Sequence, residues 1–248
     1  MASVYDLKPA FQGLLRPLCR GLARIGVTAN QVTVLAMLLS IATGILVAWR
    51  PEARWSLLLV PAVLFVRMAL NAIDGMLARE HGMKSALGGI LNELGDVISD
   101  AALYLPLVFV PRIAPWAIVV AVLLAALTEM AGVVAIQIGA SRRYDGPMGK
   151  SDRAFVFGVV YLALGIGTPA GFWTDIVLGA ILAALVLTVW NRGRKALREV
   201  RKLGSGRALG SGQAPTPGPS PGPASPTTGR GEREDRRGRG RGKKGSNG

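Results

Sequence analysis

Acidic and amide side chains recur at helical spacing between residues 71 and 100 of this sequence. Asn71 and Asp74 are three residues apart, and Asn92, Asp96 and Asp100 follow at intervals of four. Each set therefore lies along one face of a helix. Oxygen ligands that converge on one point suit Mg²⁺ or Mn²⁺, and such sites commonly complete their coordination with substrate phosphates. The pattern predicts a divalent-metal site for a phosphorylated substrate.

The residues around these side chains favour phosphate binding. Gly75 follows Asp74 directly and removes a side chain where a ligand can approach. Arg79 adds a fork-shaped donor for phosphate oxygens. A short turn at 80–86 joins the two predicted helices, and antiparallel helices connected in this way bring their polar faces together near that turn.

The composition of the whole chain excludes a uniform globular domain. Its 248 residues are 50% hydrophobic, yet 29 Lys and Arg against 15 Asp and Glu give a formal net charge of +14. Apolar residues fill long blocks before about residue 190, whereas residues 204–248 are rich in Gly, Pro, Ser and Arg. Such segregation of apolar and charged residues is typical of a membrane protein with a polar tail.

Long apolar blocks predict an all-α integral membrane protein with six transmembrane helices in a catalytic domain at 29–190. A spanning helix needs about 20 mostly apolar residues to cross roughly 30 Å of hydrocarbon. The predicted spans are 29–50, 55–76, 87–110, 114–139, 154–168 and 173–190. A single cysteine, Cys19, excludes a disulfide framework and a cysteine-based metal site.

Acids inside such spans are costly, by about 2.5–3.5 kcal/mol for Asp at a helix centre, so they usually face a polar cavity with a function. The structural alternative is that Asp74 caps a turn while Asp96 and Asp100 pair with a neighbouring arginine. Arg67 and Glu129 are two further lone charges within spans, and we expect them to form an ion pair.

The sequence outside the spans falls into three segments. Apolar residues spaced three and four apart over 7–24 predict an interfacial amphipathic helix within an N-terminal segment at 1–28. Residues 191–203 hold six basic residues and predict a polybasic juxtamembrane segment. Residues 204–248 cannot bury enough apolar surface to fold, so we expect a disordered tail. Membrane electrostatics explain these charges without a nucleic-acid partner.

The distribution of basic residues predicts the orientation. One side of the predicted membrane collects the basic residues of 1–28, 77–86, 141–153 and everything after 190, whereas the other collects three arginines. The positive-inside rule therefore places both termini in the cytoplasm, with the spans in the cell inner membrane.

The region from 71 to 96 resembles the signature of the CDP-alcohol phosphatidyltransferase family, D-x2-D-G-x2-A-R-x8-G-x3-D-x3-D. The positions of this sequence that correspond to it are Asn71, Asp74, Gly75, Ala78, Arg79, Gly88, Asn92 and Asp96. The segment TANQVT at 28–33 resembles the family's entry to its first span, and GPMGKSDR at 146–153 resembles its basic cytoplasmic connection.

The resemblance implies a reaction and a set of partners. A CDP-lipid such as CDP-diacylglycerol would bind with its diphosphate on Mg²⁺ or Mn²⁺, an alcohol would attack the lipid-side phosphorus, and CMP would leave. The family also implies membrane lipids as surroundings and a homodimer as the assembly.

The resemblance also implies roles for individual residues. Asp74 would bind metal with Asn71 and Asn92, and Asp96 would be both a ligand and the general base. Contacts to the nucleotide or phosphates would come from Gly75, Ala78, Arg79 and Gly88. Lys150 and Arg153 would bind an anionic acceptor or the diphosphate. Together with Arg142 and Arg143, they favour a phosphorylated acceptor such as glycerol 3-phosphate or an inositol phosphate, although basic connections also follow from topology alone.

Asn71 and Asn92 depart from the family pattern, which has acids at both positions. Four carboxylates and a diphosphate of about −2 against two Mg²⁺ sum to about −2, whereas two carboxylates give about 0. Three readings follow: metals that bind only with the substrate diphosphate, a single metal, or lost catalysis. Asp100, one turn beyond Asp96, is a candidate for the missing charge. We favour retained catalysis, because the other motif residues are all in place.

Two other classes of function compete with the transferase. A divalent-cation transporter also places acids in spans, but near the bilayer midplane on broken helices. A catalytically impaired family member would act as a lipid-binding or scaffolding membrane protein, and the two asparagines are the feature that favours it.

Overall fold

Seven α-helices make up the fold in the computed structural model, which describes residues 4–210 and the side chains of residues 11–203. The helices are α1 (Val4–Arg24), α2 (Ala29–Trp49), α3 (Arg54–Glu80), α4 (Ala86–Tyr104), α5 (Pro115–Gln137), α6 (Lys150–Gly165) and α7 (Phe172–Gly210). A short 3₁₀ helix, Leu105–Phe109, continues α4. The described residues contain no strand, so the all-α expectation is confirmed.

Four of these helices are long and apolar enough to cross a membrane. They are α2, α3, α5 and the Phe172–Leu203 part of α7. The two remaining predicted spans fall short for physical reasons. The 19 residues of α4 include three acids, and α6 is only 16 residues long and begins with charged residues.

Hydroxyl side chains start the two helices that frame the site. Thr28 caps α2: its hydroxyl accepts from the backbone N–H of Gln31 at 3.3 Å, and the Gln31 side chain accepts from the Thr28 N–H at 2.9 Å. Ser85 caps α4 and accepts from the backbone N–H of Gly88 at 2.9 Å. Such caps satisfy amides that a helix start leaves without partners, so both helices begin at defined positions.

The helices pack so that α2 lies against both α3 and α4, and α6 lies against α3. Gly44 permits close contact between α2 and α4, because a Cβ there would collide with the backbone of Ala102. An apolar core joins α3 to α7, and within it the rings of Tyr104 and Phe157 stack at 4.0 Å. These contacts hold the ends of α2, α3 and α4 in one place.

The first helix, α1, packs on α3. Cys19 is buried in a small cluster with Ile73 and Met76 of α3 and residues of α2. Burial raises the pKa of the Cys19 thiol, so we expect this cysteine to be a packing residue.

The C-terminal segments differ in part from expectation. The last helix continues without a break through 191–203 and on to Gly210, so residues 204–210, predicted to be disordered, are helical. Extending an existing helix needs no new nucleus, which lowers its cost in free energy. The described residues up to Arg207 form one compact unit. The rest of the predicted tail, 211–248, lies outside the described residues.

Candidate active site

A polar cavity of about 390 Å³ lies between the C-terminal end of α3 and the N-terminal ends of α2 and α4. Seven residues of the predicted site line it: Asn71, Asp74, Gly75, Ala78, Arg79, Gly88 and Asn92. The turn at residues 81–85 places the two halves of the motif face to face, as the sequence predicted.

Asp74 is the acid of this cavity. Its side chain is buried, and one carboxylate oxygen accepts a hydrogen bond of 2.8 Å from the hydroxyl of Thr33 on α2. That bond fixes the direction of the carboxylate within the cavity. Asp74 therefore does not act as a turn cap.

Glycine keeps the floor of the cavity open. A Cβ on Gly88 would come within 2.6 Å of the side-chain oxygen of Asn30 and 3.0 Å of the Ser85 hydroxyl. Asn30 in turn donates a hydrogen bond of 3.4 Å to Ser85. At Gly75 a Cβ would touch the guanidinium of Arg79 at 3.1 Å. Both glycines thus leave room for polar groups that a larger residue would displace.

Two cations of the cavity have no partner among the residues that the structure describes. Arg79 and Lys84 are both exposed, and neither has a hydrogen bond or ion pair with any residue in the described part of the chain. Cations with free donors that face a polar cavity suit a phosphate ligand. The guanidinium of Arg79 lies over Gly75, next to Asp74.

Asp96 lies one helical turn beyond Asn92 and faces α3 and α6. Lys150, at the start of α6, donates a hydrogen bond to one carboxylate oxygen, and Arg67 of α3 approaches the other at 3.4 Å. Lys150 lines a neighbouring space together with Asn71, which also lines the polar cavity, whereas Asp96 is absent from the cavity lining. Asp96 therefore lies next to the polar cavity rather than within its lining.

Asp100 is held between two arginines. Its carboxylate accepts from Arg67 at 2.6 Å and from Arg153 of α6 at 2.9 and 3.0 Å. All three side chains are almost fully buried. The pairing of Asp96 and Asp100 with a neighbouring arginine, which the sequence left open as the structural alternative, is therefore present.

Glu129 of α5 binds arginines other than the one expected. It accepts from Arg153 at 3.0 Å and forms ion pairs with Arg192 at 3.6 Å and Arg142 at 3.8 Å. The predicted ion pair with Arg67 is wrong, because Arg67 is directed at α4. Sequence spacing gives no information on which face of α3 approaches which neighbour, and helix packing decided the partner.

The connection between α5 and α6 is fixed to α7 by charges. Arg143 contacts Asp145 at 2.7 Å and Glu199 at 2.7 Å, and Lys195 contacts Asp145 at 2.7 Å. Burial would raise the pKa of Asp145, but hydrogen bonds from Lys195 and Arg143 outweigh it and lower that pKa. Glu93 of α4 accepts from Arg142 at 2.7 Å. All four basic residues predicted to bind the acceptor are thus paired with acids.

An apolar groove of about 370 Å³ runs between α3 and α6. Its walls are mainly apolar, with Phe65 and Phe155 among them, whereas Arg67, Asn71 and Lys150 lie at its polar end. Asn71 lines both this groove and the polar cavity. The two spaces therefore meet at Asn71.

Residues 26–190 match the CDP-alcohol phosphatidyltransferase family. This chain belongs to that family. The predicted enzyme class is thereby confirmed, and so is the resemblance on which it rested.

Two relatives show how far the similarity of this transferase extends. Inner membrane protein YnbA of Escherichia coli K12 is 45% identical over 195 residues, which cover 79% of this chain and 96% of YnbA. Phosphatidylinositol phosphate synthase of Corynebacterium glutamicum is 28% identical over 198 residues, or 77% and 87% of the two chains. Together with the apolar helices, the similarity to YnbA makes the transferase an integral membrane protein.

Solved structures share the fold of the transferase. Mycobacterium tuberculosis phosphatidylinositol phosphate synthase with CDP-DAG bound has a TM-score of 0.62 at 22% identity, over 74% of this chain and 92% of that one. The same enzyme in complex with manganese and citrate has a TM-score of 0.63 at 21% identity, over 73% and 88%. The manganese complex agrees with the expected Mg²⁺ or Mn²⁺ cofactor.

The donor set of the polar cavity fits a hard divalent cation. Asp74 offers a carboxylate, and Asn71 and Asn92 offer amide oxygens on facing helices. No three His, Cys, Asp or Glu side chains converge anywhere in the described part of the transferase. The protein therefore provides few charged ligands, and a substrate diphosphate would have to complete the site.

Several residues of the site escaped sequence reasoning. Asn30, Thr33, Lys84 and Ser85 line the cavity without belonging to the signature. The segment TANQVT carried a signal, since Asn30 and Thr33 are three residues apart and share a helix face. For Arg192, on α7, no such signal exists, because its partner lies 63 residues earlier in the chain.

Proposed function

We propose that this chain transfers a phosphatidyl group from CDP-diacylglycerol to an alcohol and releases CMP. The observation that carries the proposal is that Asn71 lines both a polar cavity and an apolar groove. A CDP-lipid has a charged nucleotide head and an apolar tail, so it needs two such spaces that meet.

The head of the donor would bind in the polar cavity. Arg79 and Lys84 have free donors there for the diphosphate oxygens. Gly75, Ala78 and Gly88 allow the ligand to approach the backbone, since larger side chains would occupy the same space. The tail would lie in the groove between α3 and α6, whose Gly158 and Phe155 face the apolar ligand.

The metal would be held by Asp74, Asn71 and Asn92, with Asp96 as a further ligand. A divalent cation there would neutralise charge on the diphosphate and so assist the departure of CMP. Asp100 is not part of this proposal, because its carboxylate is almost fully buried between Arg67 and Arg153, whereas the Asp96 side chain remains 17% exposed. The substrate diphosphate would therefore supply the negative charge that asparagines at positions 71 and 92 do not provide.

Asp96 would act as the general base. Lys150 and Arg67 orient its carboxylate from two sides. As the alcohol oxygen bonds to the lipid-side phosphorus, Asp96 takes the hydroxyl proton, and the bond from that phosphorus to the CMP oxygen breaks. Positioning and charge neutralisation supply most of the rate in such transfers.

The reaction test uses purified protein, CDP-diacylglycerol and a panel of alcohols. We expect CMP release that requires both an alcohol and Mg²⁺ or Mn²⁺. If the protein released no CMP with any combination of alcohol and metal, this proposal would be wrong. The alternative of a lipid-binding or scaffolding protein, which the asparagines at 71 and 92 favour, would then replace it.

The groove is tested separately. A Cβ on Gly158 would lie 3.4 Å from Leu64, so Gly158→Leu should fill the groove. We expect a higher KM for CDP-diacylglycerol and unchanged binding of water-soluble CMP. Gly179→Leu on α7 is the matched control, because a Cβ there meets nothing within 4 Å. Equal KM values for the two variants would place the lipid tail elsewhere.

The membrane arrangement completes the proposal. The protein would cross the inner membrane six times, because α4 and α6 would cross it in addition to the four apolar helices. Both termini would then lie in the cytoplasm. The first helix, α1, would lie at the membrane surface. A thiol in Lys84→Cys should react with an impermeant maleimide from the cytoplasmic side, and one in Glu52→Cys from the other. The reverse pattern would overturn this orientation.

We further propose a homodimer, and mass photometry that found only monomers would contradict it.

A further inference from the structure

We propose that the acceptor is an alcohol with no phosphate or other anionic group, and that Glu129 determines this selectivity. The inference rests on the proposed transfer reaction and specifies its second substrate. The inference comes from the basic residues around Asp96. They are paired with acids of the chain, whereas an anionic acceptor requires cations with free donors.

Every basic side chain of this region is already neutralised by the chain itself. Arg67, Arg142, Lys150, Arg153 and Arg192 each contact at least one carboxylate. The carboxylates are Glu93, Asp96, Asp100 and Glu129. Five basic and four acidic side chains leave this cluster within one charge of neutrality. A phosphorylated acceptor would carry about two negative charges into the cluster, more than its single excess positive charge can offset.

Glu129 lies among the arginines that an acceptor phosphate would use, so its carboxylate already takes their donors. Its carboxylate lies among Arg153, Arg192 and Arg142, within 3.0–3.8 Å of their nitrogens, and its side chain is only 12% exposed. The void beside Glu129, Asp100 and Arg153 measures about 10 Å³. That volume holds about one water molecule and no phosphate group.

The unpaired cations lie on the donor side of the site. Arg79 and Lys84 line the polar cavity and have no protein partner within the described residues. These two cations are therefore available for the diphosphate of the donor, whereas the cations around Asp96 are paired with carboxylates. An anion would bind where charges are free, so the acceptor side suits a neutral molecule.

A neutral polyol could bind the Lys150–Asp96 pair. Lys150 still offers donors, and Asp96 offers an acceptor, at the polar end of the groove beside Asn71. Hydroxyl groups both donate and accept hydrogen bonds, so they can bridge such a pair without adding charge. One of these hydroxyls would deliver its proton to Asp96.

The first test compares matched acceptors with the wild-type protein. CMP release is measured with glycerol against glycerol 3-phosphate, and with myo-inositol against inositol 1-phosphate. In every pair that supports release, we expect the neutral member to act at least about tenfold faster than its phosphate ester, as like-charge repulsion predicts. Preference for either phosphate ester would overturn the inference and leave the transfer reaction intact.

The second test measures binding and does not depend on turnover. Calorimetry with glycerol 3-phosphate should detect no binding at the acceptor side of wild type in the presence of saturating CMP, and at least about tenfold tighter binding to Glu129→Gln. Glu129→Asp keeps the charge and should behave like wild type. Glu199→Gln, which removes an acid from Arg143 instead, is the second control.

The outcomes separate the two claims. If wild type and Glu129→Gln bind glycerol 3-phosphate equally, Glu129 is not the determinant and the inference fails. If no alcohol releases CMP while Glu129→Gln alone gains phosphate binding, the transfer reaction fails and the acceptor inference fails with it, and only the exclusion of phosphate by Glu129 remains. Should Glu129→Gln not fold, the wild-type acceptor comparison decides the question without it.

Discussion

The hydroxyl of Thr33 donates a hydrogen bond of 2.8 Å to the carboxylate of Asp74. This bond joins α2 to the acid of the polar cavity and sets the direction of that acid before any ligand binds. Because the neighbouring positions 71 and 92 carry amides, the orientation of this one carboxylate matters more than it would in a site with several acids.

Replacing the hydroxyl should weaken metal binding. Thr33→Val keeps the shape of the side chain but removes the bond, and a hydrogen bond to a charged group contributes about 1.5–3 kcal/mol. We expect the Mn²⁺ concentration for half-maximal CMP release to rise about tenfold or more, with little change in folding. Thr43→Val is the control, because the Thr43 hydroxyl bonds only to the Leu39 carbonyl within α2. Equal metal dependence in both variants would remove Thr33 from the site.

Restoring acids at the two amide positions should strengthen metal binding. Asn71→Asp with Asn92→Asp adds two negative charges to the polar cavity, and we expect tighter Mn²⁺ binding to the substrate-free protein by calorimetry. Asn191→Asp adds a charge on α7, outside the cavity lining, and should leave Mn²⁺ affinity unchanged. No difference between the double variant and wild type would show that these positions do not face the metal.

A methyl group at Gly88 should disturb the donor site without unfolding the protein. The added Cβ would displace the Asn30 side chain, which can move, and would crowd Ser85. We expect the KM for CDP-diacylglycerol to rise roughly fivefold, the equivalent of one lost hydrogen bond. Gly89→Ala is a close control, since nothing lies within 4 Å of its Cβ. A lower KM for Gly88→Ala than for Gly89→Ala would contradict this account of the cavity.

Asp100 should prove structural. Asp100→Asn leaves Arg67 and Arg153 buried with less compensating charge, which destabilises a protein by about 3–5 kcal/mol. We expect a marked fall in Tm but an unchanged Mn²⁺ affinity of the protein that remains folded. Asp175→Asn, at an exposed position of α7, should leave Tm unchanged. A large loss of Mn²⁺ affinity at constant Tm would instead make Asp100 a metal ligand.

Local spacing in the sequence predicted the polar cavity well. Asn71, Asp74 and Arg79 lie on one helix, and the short turn before Gly88 leaves little freedom in how the second helix returns. Helical periodicity and a tight turn are local properties, so seven predicted residues meet in one cavity.

Long-range pairing was not predictable in the same way. Glu129 binds Arg153 rather than Arg67 because the Arg153 side chain of α6 reaches α5. Arg67 bonds instead to Asp100 of α4. Such partners depend on how helices rotate against one another in three dimensions, which no spacing in a single sequence records. The pairing of the four basic residues with acids became visible only from those partners, and it is the basis on which we propose a neutral acceptor.

CMP release from CDP-diacylglycerol by wild type and by Asp96→Asn, with Mn²⁺ and with the metal chelated, tests the central claim most directly. The account predicts alcohol-dependent release by wild type with Mn²⁺, none after chelation, and a loss of about 100-fold or more in Asp96→Asn, the usual contribution of a general base. Equal release by the two proteins, or equal inertness across the acceptor panel, would contradict it.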